Sequence, residues 1–152
     1  MVEKEFGAYK ENLSEINEFI FDNISGECSV KDRMQLEVAV EEIFVNIVRY
    51  AFADVNSLIA DFKGVAVTDE KSSKNKVSIS VDNVGDEAVI VFKDAGIRYN
   101  PLKKEAPDIE LDATDRPIGG LGIFITRKFV DDMSYSYADG KNVLTLKKKL
   151  TK

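Results

Sequence analysis

Glu42 and Asn46 stand four residues apart in "EEIFVN" (41–46). On a helix that spacing puts both side chains on one face, with roughly 5–6 Å between their Cβ atoms. A carboxylate can take a proton, and a neutral amide oxygen suits Mg²⁺, which prefers oxygen ligands and keeps several of its waters. Asn is a poor helix former, so its place between Val45 and Ile47 asks for a reason. Arg49 follows one turn further on. A solvated polar strip on an amphipathic helix is the alternative reading of the same residues.

Two other stretches carry comparable chemistry. In "KDAGIRYNP", Asp94 closes an apolar run and Gly96 opens a turn. A buried carboxylate there would accept from a donor such as the exocyclic amine of a purine, and an ordinary Asp-x-Gly turn is the alternative. In "RPIGGLGIF" (116–124), Gly119, Gly120 and Gly122 account for three of only nine glycines in the chain, so bare backbone is concentrated at one point. Free N–H groups and the positive end of a helix dipole make such a stretch a phosphate site. A hinge or tight turn is the other reading, since neither the P-loop pattern nor the dinucleotide fingerprint fits.

The chain has no histidine, which excludes Ser-His-Asp and Cys-His catalysis, His-containing metal sites and a phosphohistidine relay. Any general base must be a carboxylate, Lys or Tyr. The net charge of −6 argues against nucleic acid as a direct partner. "LKKKLTK" at the end is a local exception, read as the solvated edge and tail of a last strand. Cys28 stands alone and reads as inert. With no signal-like start and no run of about 18 apolar residues, the expected setting is cytoplasmic and away from membranes.

These residues need a scaffold, and the hydrophobic pattern supplies one. At 152 residues with 44% apolar composition, the chain reads as one domain, 1–152, able to bury a core without disulfides or metal staples. Alternation over Val2 to Ala8 suggests a first strand. Helical spacing predicts one helix over Asn12 to Asn23 and a second, capped by Ser29 with Asp32 in a capping box, running to about Phe52. "SLIADFKGVAV", within 53–76, fits a strand or an irregular excursion. Val77, Ile79 and Val81 alternate as a strand, "VGDE" turns, and "AVIVF" is apolar enough for a central strand. All three prolines fall in the long stretch that follows, with a lid expected at about 101–118. Leu121, Phe124, Ile125 and Val130 suggest a third helix to about Asp132, and "MSYSYADGKNVLTLKKKL" a hairpin turning at "DG". The sum is an α/β two-layer sandwich with a mixed, mainly antiparallel sheet and the helices on one face.

Glu-x-x-x-Asn on a helix, Asp-x-Gly after a strand, a long lid, then Gly-Gly-x-Gly before a helix, in that order, closely resembles the Bergerat-type ATP-binding fold of the GHKL group. Within it "VAVEEIFVNIVRYAF", "DAGIRYNP" and "PIGGLGIFITRKFVDDMSY" resemble the bacterial anti-sigma-factor serine kinase branch. The resemblance spans about residue 10 to the end. It implies that Asn46 helps hold Mg²⁺ against the phosphates of ATP, that Glu42 is the catalytic carboxylate, and that Arg49 belongs to the nucleotide site. It further implies that Asp94 reads the adenine amine, that Gly96 shapes that pocket, that Gly119, Gly120, Leu121 and Gly122 cradle phosphate, and that Arg116 meets the γ-phosphate. The implied partners are a sigma factor and a STAS-type anti-anti-sigma protein phosphorylated on serine, with a homodimer among the implied assemblies and transcription regulation as the role. A nucleotide-gated binding module without phosphotransfer is the competing function.

The chain departs from that branch in three places. Tyr50 stands where relatives often have His, the 53–76 segment is longer, and the polar residue after the last hairpin's glycine is Asn142, with Thr145 as the alternative and neither assigned a role.

Overall fold

The computed structural model describes residues 1–51, 75–103 and 120–151. Five strands, β1 (Val2–Gly7), β2 (Lys76–Val84), β3 (Glu87–Asp94), β4 (Asp132–Ala138) and β5 (Lys141–Lys149), form one sheet in the order β1-β2-β3-β5-β4. Every neighbouring pair is antiparallel, so the mixed sheet expected from sequence is fully antiparallel among the described residues. "AVIVF" does lie in the central strand. Its partners put Val77, Ile79 and Val81 opposite Asp94, Phe92 and Ile90, and Leu144 and Leu146 opposite Phe92 and Ile90. Because strand side chains alternate, one register brings all of these to the same face.

That face carries the core. Helix α1 (Leu13–Asp22) turns Ile16 and Ile20 onto it, and α2 (Val30–Asn46) adds Leu36, Val40, Ile43 and Phe44, all buried. A third helix, α3 (Gly120–Phe129), packs beside α2. Phe6 of β1 meets Phe19 of α1 edge-on, ring centroids 5.6 Å apart, which joins the first strand to the first helix. Alternate residues such as Ser78, Val89, Val91 and Val143 face the other way and are only half-buried. The result is two layers, helices over one sheet face. No helix among the described residues is long and apolar enough to cross a membrane.

The two hairpins follow from local backbone chemistry. Gly85 turns β2 into β3 at φ +63°, and Asp139 and Gly140, at φ +54° and +74°, make the two-residue turn between β4 and β5. Two successive left-handed residues match the twist of the strands they join, and Asp-Gly is a favoured pair for them.

Three further expectations are corrected. The second helix keeps α-geometry only to Asn46 and continues as a π-helical turn, Ile47–Ala51, rather than running as α-helix to Phe52. The capping box is half formed: Ser29 Oγ accepts from the Asp32 backbone N–H at 3.1 Å, but the Asp32 carboxylate does not take the Ser29 backbone N–H. Thr151 takes over that role. Its carbonyl accepts from Ser29 N–H at 2.8 Å, while its own N–H and hydroxyl donate to Asp32 Oδ2 at 2.8 and 2.7 Å. These donors hold the Asp32 carboxyl below the usual carboxylate range.

The lysine-rich tail is the third correction, since β5 lies between β3 and β4 and Lys148 is only 6% exposed. Its ammonium donates to Gln35 Oε1 at 3.0 Å and to the Phe129 carbonyl at 2.6 Å, and lies 3.8 Å from Asp32 Oδ1. A buried ammonium survives only with such partners. Strand parity, which sends Leu144, Leu146 and Lys148 inward together, decides the matter over composition.

Candidate functional site

A pocket partly open to solvent, about 390 Å³ when the open space at its mouth is counted, lies where α2 and α3 meet the ends of β3, β4 and β5. Ile43 and Ile47 of the α2 segment, Ile123 of α3 and Leu144 of β5 give it apolar walls. Asn46 and Asp94 supply polar groups. A concave apolar site with a few convergent polar atoms is the usual form of a small-molecule pocket.

Asp94 is the last residue of β3 and only 5% exposed. Its Oδ1 accepts from Gly96 N–H at 3.0 Å and from Asn142 Nδ2 at 2.9 Å. Oδ2 has no hydrogen-bond partner among the described residues. Burial pushes the carboxyl above its usual range, and the two donors only partly offset this. The group is therefore an acceptor in a poorly solvated place, with one oxygen left for a ligand donor. Gly96 contributes through its backbone N–H, which closes an Asx turn.

Asn46 reaches the same cavity from α2. It is 7% exposed, and its Nδ2 is buried without a hydrogen-bond partner among the described residues. An unpaired buried amide is destabilising until something satisfies it, which marks this atom as a ligand group. A half-turn of the carboxamide exchanges oxygen and nitrogen, so the position fits either a phosphate oxygen or an oxygen-seeking cation.

Glu42, one helical turn before Asn46, leans toward α3. A Cβ built on Gly122 would lie 2.0 Å from Glu42 Oε2 and 2.7 Å from its Cδ. The bare backbone at 122 is what lets the carboxylate lie against the first turns of α3. Gly122 is held in turn by its carbonyl, which accepts from the Thr126 hydroxyl at 2.8 Å.

The structure thus brings Asn46 and Asp94 into one pocket, with Gly96 bonded to Asp94, while Glu42 and Gly122 lie against each other next in sequence to the pocket residues Ile43 and Ile123, and Gly120 and Leu121 open α3. Arg49 is exposed on the π-helical turn and does not line the cavity. Arg116, Gly119 and lid residues 104–118 lie outside the described residues, as does nearly all of 53–76.

The sequence reading assigns no role to part of the pocket, naming Asn142 only as a departure from the family pattern and Tyr99 and Tyr135 not at all. Asn142, Tyr135 and Tyr99 line it, and Tyr135 donates its hydroxyl to Asn142 Oδ1. Burial raises the Tyr135 hydroxyl above its ordinary range, which keeps it a donor. Asn in a strand is unfavourable, and Asn142 directly after "DGK" was the available signal. In the third helix, Ile123 and Thr126 face inward with Val130, whereas Phe124 and Ile125 are half-buried.

A family model described as a histidine kinase-like ATPase domain matches residues 6–148. The chain belongs to that family, and is an ATP-binding domain of the GHKL type with the Bergerat-type two-layer fold. A search of curated proteins found no match.

Proposed function

We propose, from that membership, that the chain is an ATP-dependent protein serine kinase that also binds a sigma factor, its phosphoacceptor being a STAS-type anti-anti-sigma protein. The observation that carries the reading is the Glu42 carboxylate lying against Gly122 at the start of α3, one turn from the unpaired amide of Asn46. A proton acceptor beside a helix N-terminus is the arrangement phosphoryl transfer to a hydroxyl needs.

In this reading Asp94 accepts the adenine amine and the apolar walls take the ring. Asn46 would hold Mg²⁺, which when bound neutralises phosphate charge. The N–H groups at the start of α3 face the phosphates. Glu42 takes the proton of the acceptor serine as its Oγ bonds to the γ-phosphorus. The bond from that phosphorus to the β–γ bridging oxygen breaks, and ADP leaves.

The second reading is a nucleotide-gated binding module. Two bonds favour it, since they tie the chain leaving β3 to the pocket and to α3: Tyr99 N–H to Asn142 Oδ1 at 3.0 Å, and Arg127 to the Leu102 carbonyl at 2.6 Å. Transfer of labelled γ-phosphate from ATP to a STAS-type protein separates the two. Glu42→Gln should leave ATP affinity within about threefold and lower transfer by about 10²–10⁴-fold. Tight ATP binding by the wild type with no transfer, or full transfer by Glu42→Gln, leaves the gated module as the reading.

A further inference from the structure

Asn142 of β5 sits directly across from Asp94 of β3, and its side chain has no hydrogen-bonding capacity left for a ligand. A carboxamide offers two N–H donors and an oxygen with two lone pairs. Here Nδ2 donates to Asp94 Oδ1 and to the Ile97 carbonyl, both at 2.9 Å. Its Oδ1 accepts from Tyr99 N–H at 3.0 Å and from the Tyr135 hydroxyl. The group is buried, so no solvent competes for these four bonds.

The torsion that turns a carboxylate about its Cβ–Cγ bond is broad and two-fold, so Asp94 has little orientational preference of its own. Gly96 N–H alone would leave Oδ1 on a single pivot. Asn142 adds a second donor to the same oxygen from the opposite strand, and the plane of the carboxylate is then set. That is why Oδ2 is the oxygen without a partner among the described residues.

We propose that Asn142 is a positioning residue for base selection: it orients Asp94 so that Oδ2 meets the 6-amino group of a purine, while Asn142 itself does not touch the base. The inference rests on the ATP-binding reading of the pocket.

The test compares ATP with purine riboside 5′-triphosphate, which lacks only the 6-amino group, by titration calorimetry on the full chain. Wild type should prefer ATP by roughly 10–100-fold, as expected for one hydrogen bond to a charged acceptor. In Asn142→Ala the preference should fall below about threefold, through weaker ATP binding, with the affinity for the amine-free nucleotide nearly unchanged. An unchanged preference overturns the proposal. So does equal weakening of both nucleotides, the mark of a merely structural residue.

If Asn142→Ala does not fold, Asn142→Val serves, since it suits a strand and offers no donor. Its preference should likewise fall below about threefold, and a wild-type preference refutes the role. Wild type that binds both nucleotides equally well removes Asp94 as a reader of the amine, and the proposal with it. Wild type that binds neither removes the ATP reading itself.

Discussion

Gly122→Ala places a methyl group where the Glu42 carboxylate now lies. The new Cβ would be 2.0 Å from Oε2, and ordinary contact begins at 3.4 Å, so the oxygen must retreat by about 1.4 Å. The atom that yields is the far end of a flexible side chain, so the backbone can stay where it is. Two small effects then oppose each other. Alanine inside a helix is favoured over glycine by about 0.8–1 kcal/mol. Forcing Glu42 off its preferred rotamer costs about 0.5–1.5 kcal/mol. Stability should therefore change by less than about 1 kcal/mol, a melting shift of no more than roughly 2–4 °C at this chain length. Catalysis is less tolerant, because displacement by an ångström can cost on the order of 10²-fold. The expected variant folds normally yet transfers phosphate about 10²-fold more slowly. Melting is followed by circular dichroism, ATP affinity by titration, and transfer at saturating ATP, so that weakened binding is not mistaken for lost chemistry. Wild-type transfer at saturation would refute the placement of Glu42 as the base. A melting point lowered by more than about 10 °C would show that the backbone gives way instead.

Asp94→Asn should abolish most ATP-induced thermal stabilisation yet leave the ligand-free protein at least as stable at pH 7. Burial raises the Asp94 carboxyl, so its contribution to stability is present at low pH and lost as pH rises through the raised value, whereas Asn carries no such loss. Asp32 has the opposite sign: its lowered carboxyl stabilises the fold above the ordinary range near pH 3.9, and that contribution disappears as pH falls through the depressed value. Melting curves between pH 7 and pH 2 should therefore show a shallower acid loss in Asp32→Asn than in wild type. Lys148→Ala removes the donor to Gln35 and Phe129 and the counter-charge of Asp32, and urea denaturation should register a loss of about 2–4 kcal/mol. A loss below about 0.5 kcal/mol would mean that Lys148 behaves as a surface lysine.

The period-2 alternation of β2 and β3 and the 3.6-residue spacing of α1 and α2 made those elements readable, because each buries one face. Glu42, Asn46, Asp94 and Gly122 stood out as candidates for a related reason, as short motifs whose residue types are poorly explained by local structure. What escaped was set by tertiary context. Whether Lys148 points inward depends on strand parity and on which strands flank β5, and no local window contains that information. Asn142 acquires its partners from β3, β4 and the loop after β3, so nothing in its own neighbourhood announced them. The half-formed capping box is the same lesson at a helix start: Thr151, 119 positions from Asp32, competed for its carboxylate and won.

The strand order β1-β2-β3-β5-β4 has a consequence in time as well as in space. Synthesis proceeds from the N-terminus at about 5–20 residues per second, so β1, β2 and β3 can pair while the rest of the chain is still inside the ribosome. Asp94 then waits for a neighbour 48 positions downstream. Until the last hairpin slides in beside β3, the carboxylate lacks its orienting amide, the cavity lacks the wall made by Leu144, and Thr151 has not fastened the start of α2. Nucleotide binding should therefore begin only once β5 has paired with β3, so a product stopped before Lys141 would carry most of the motifs and lack the completed pocket.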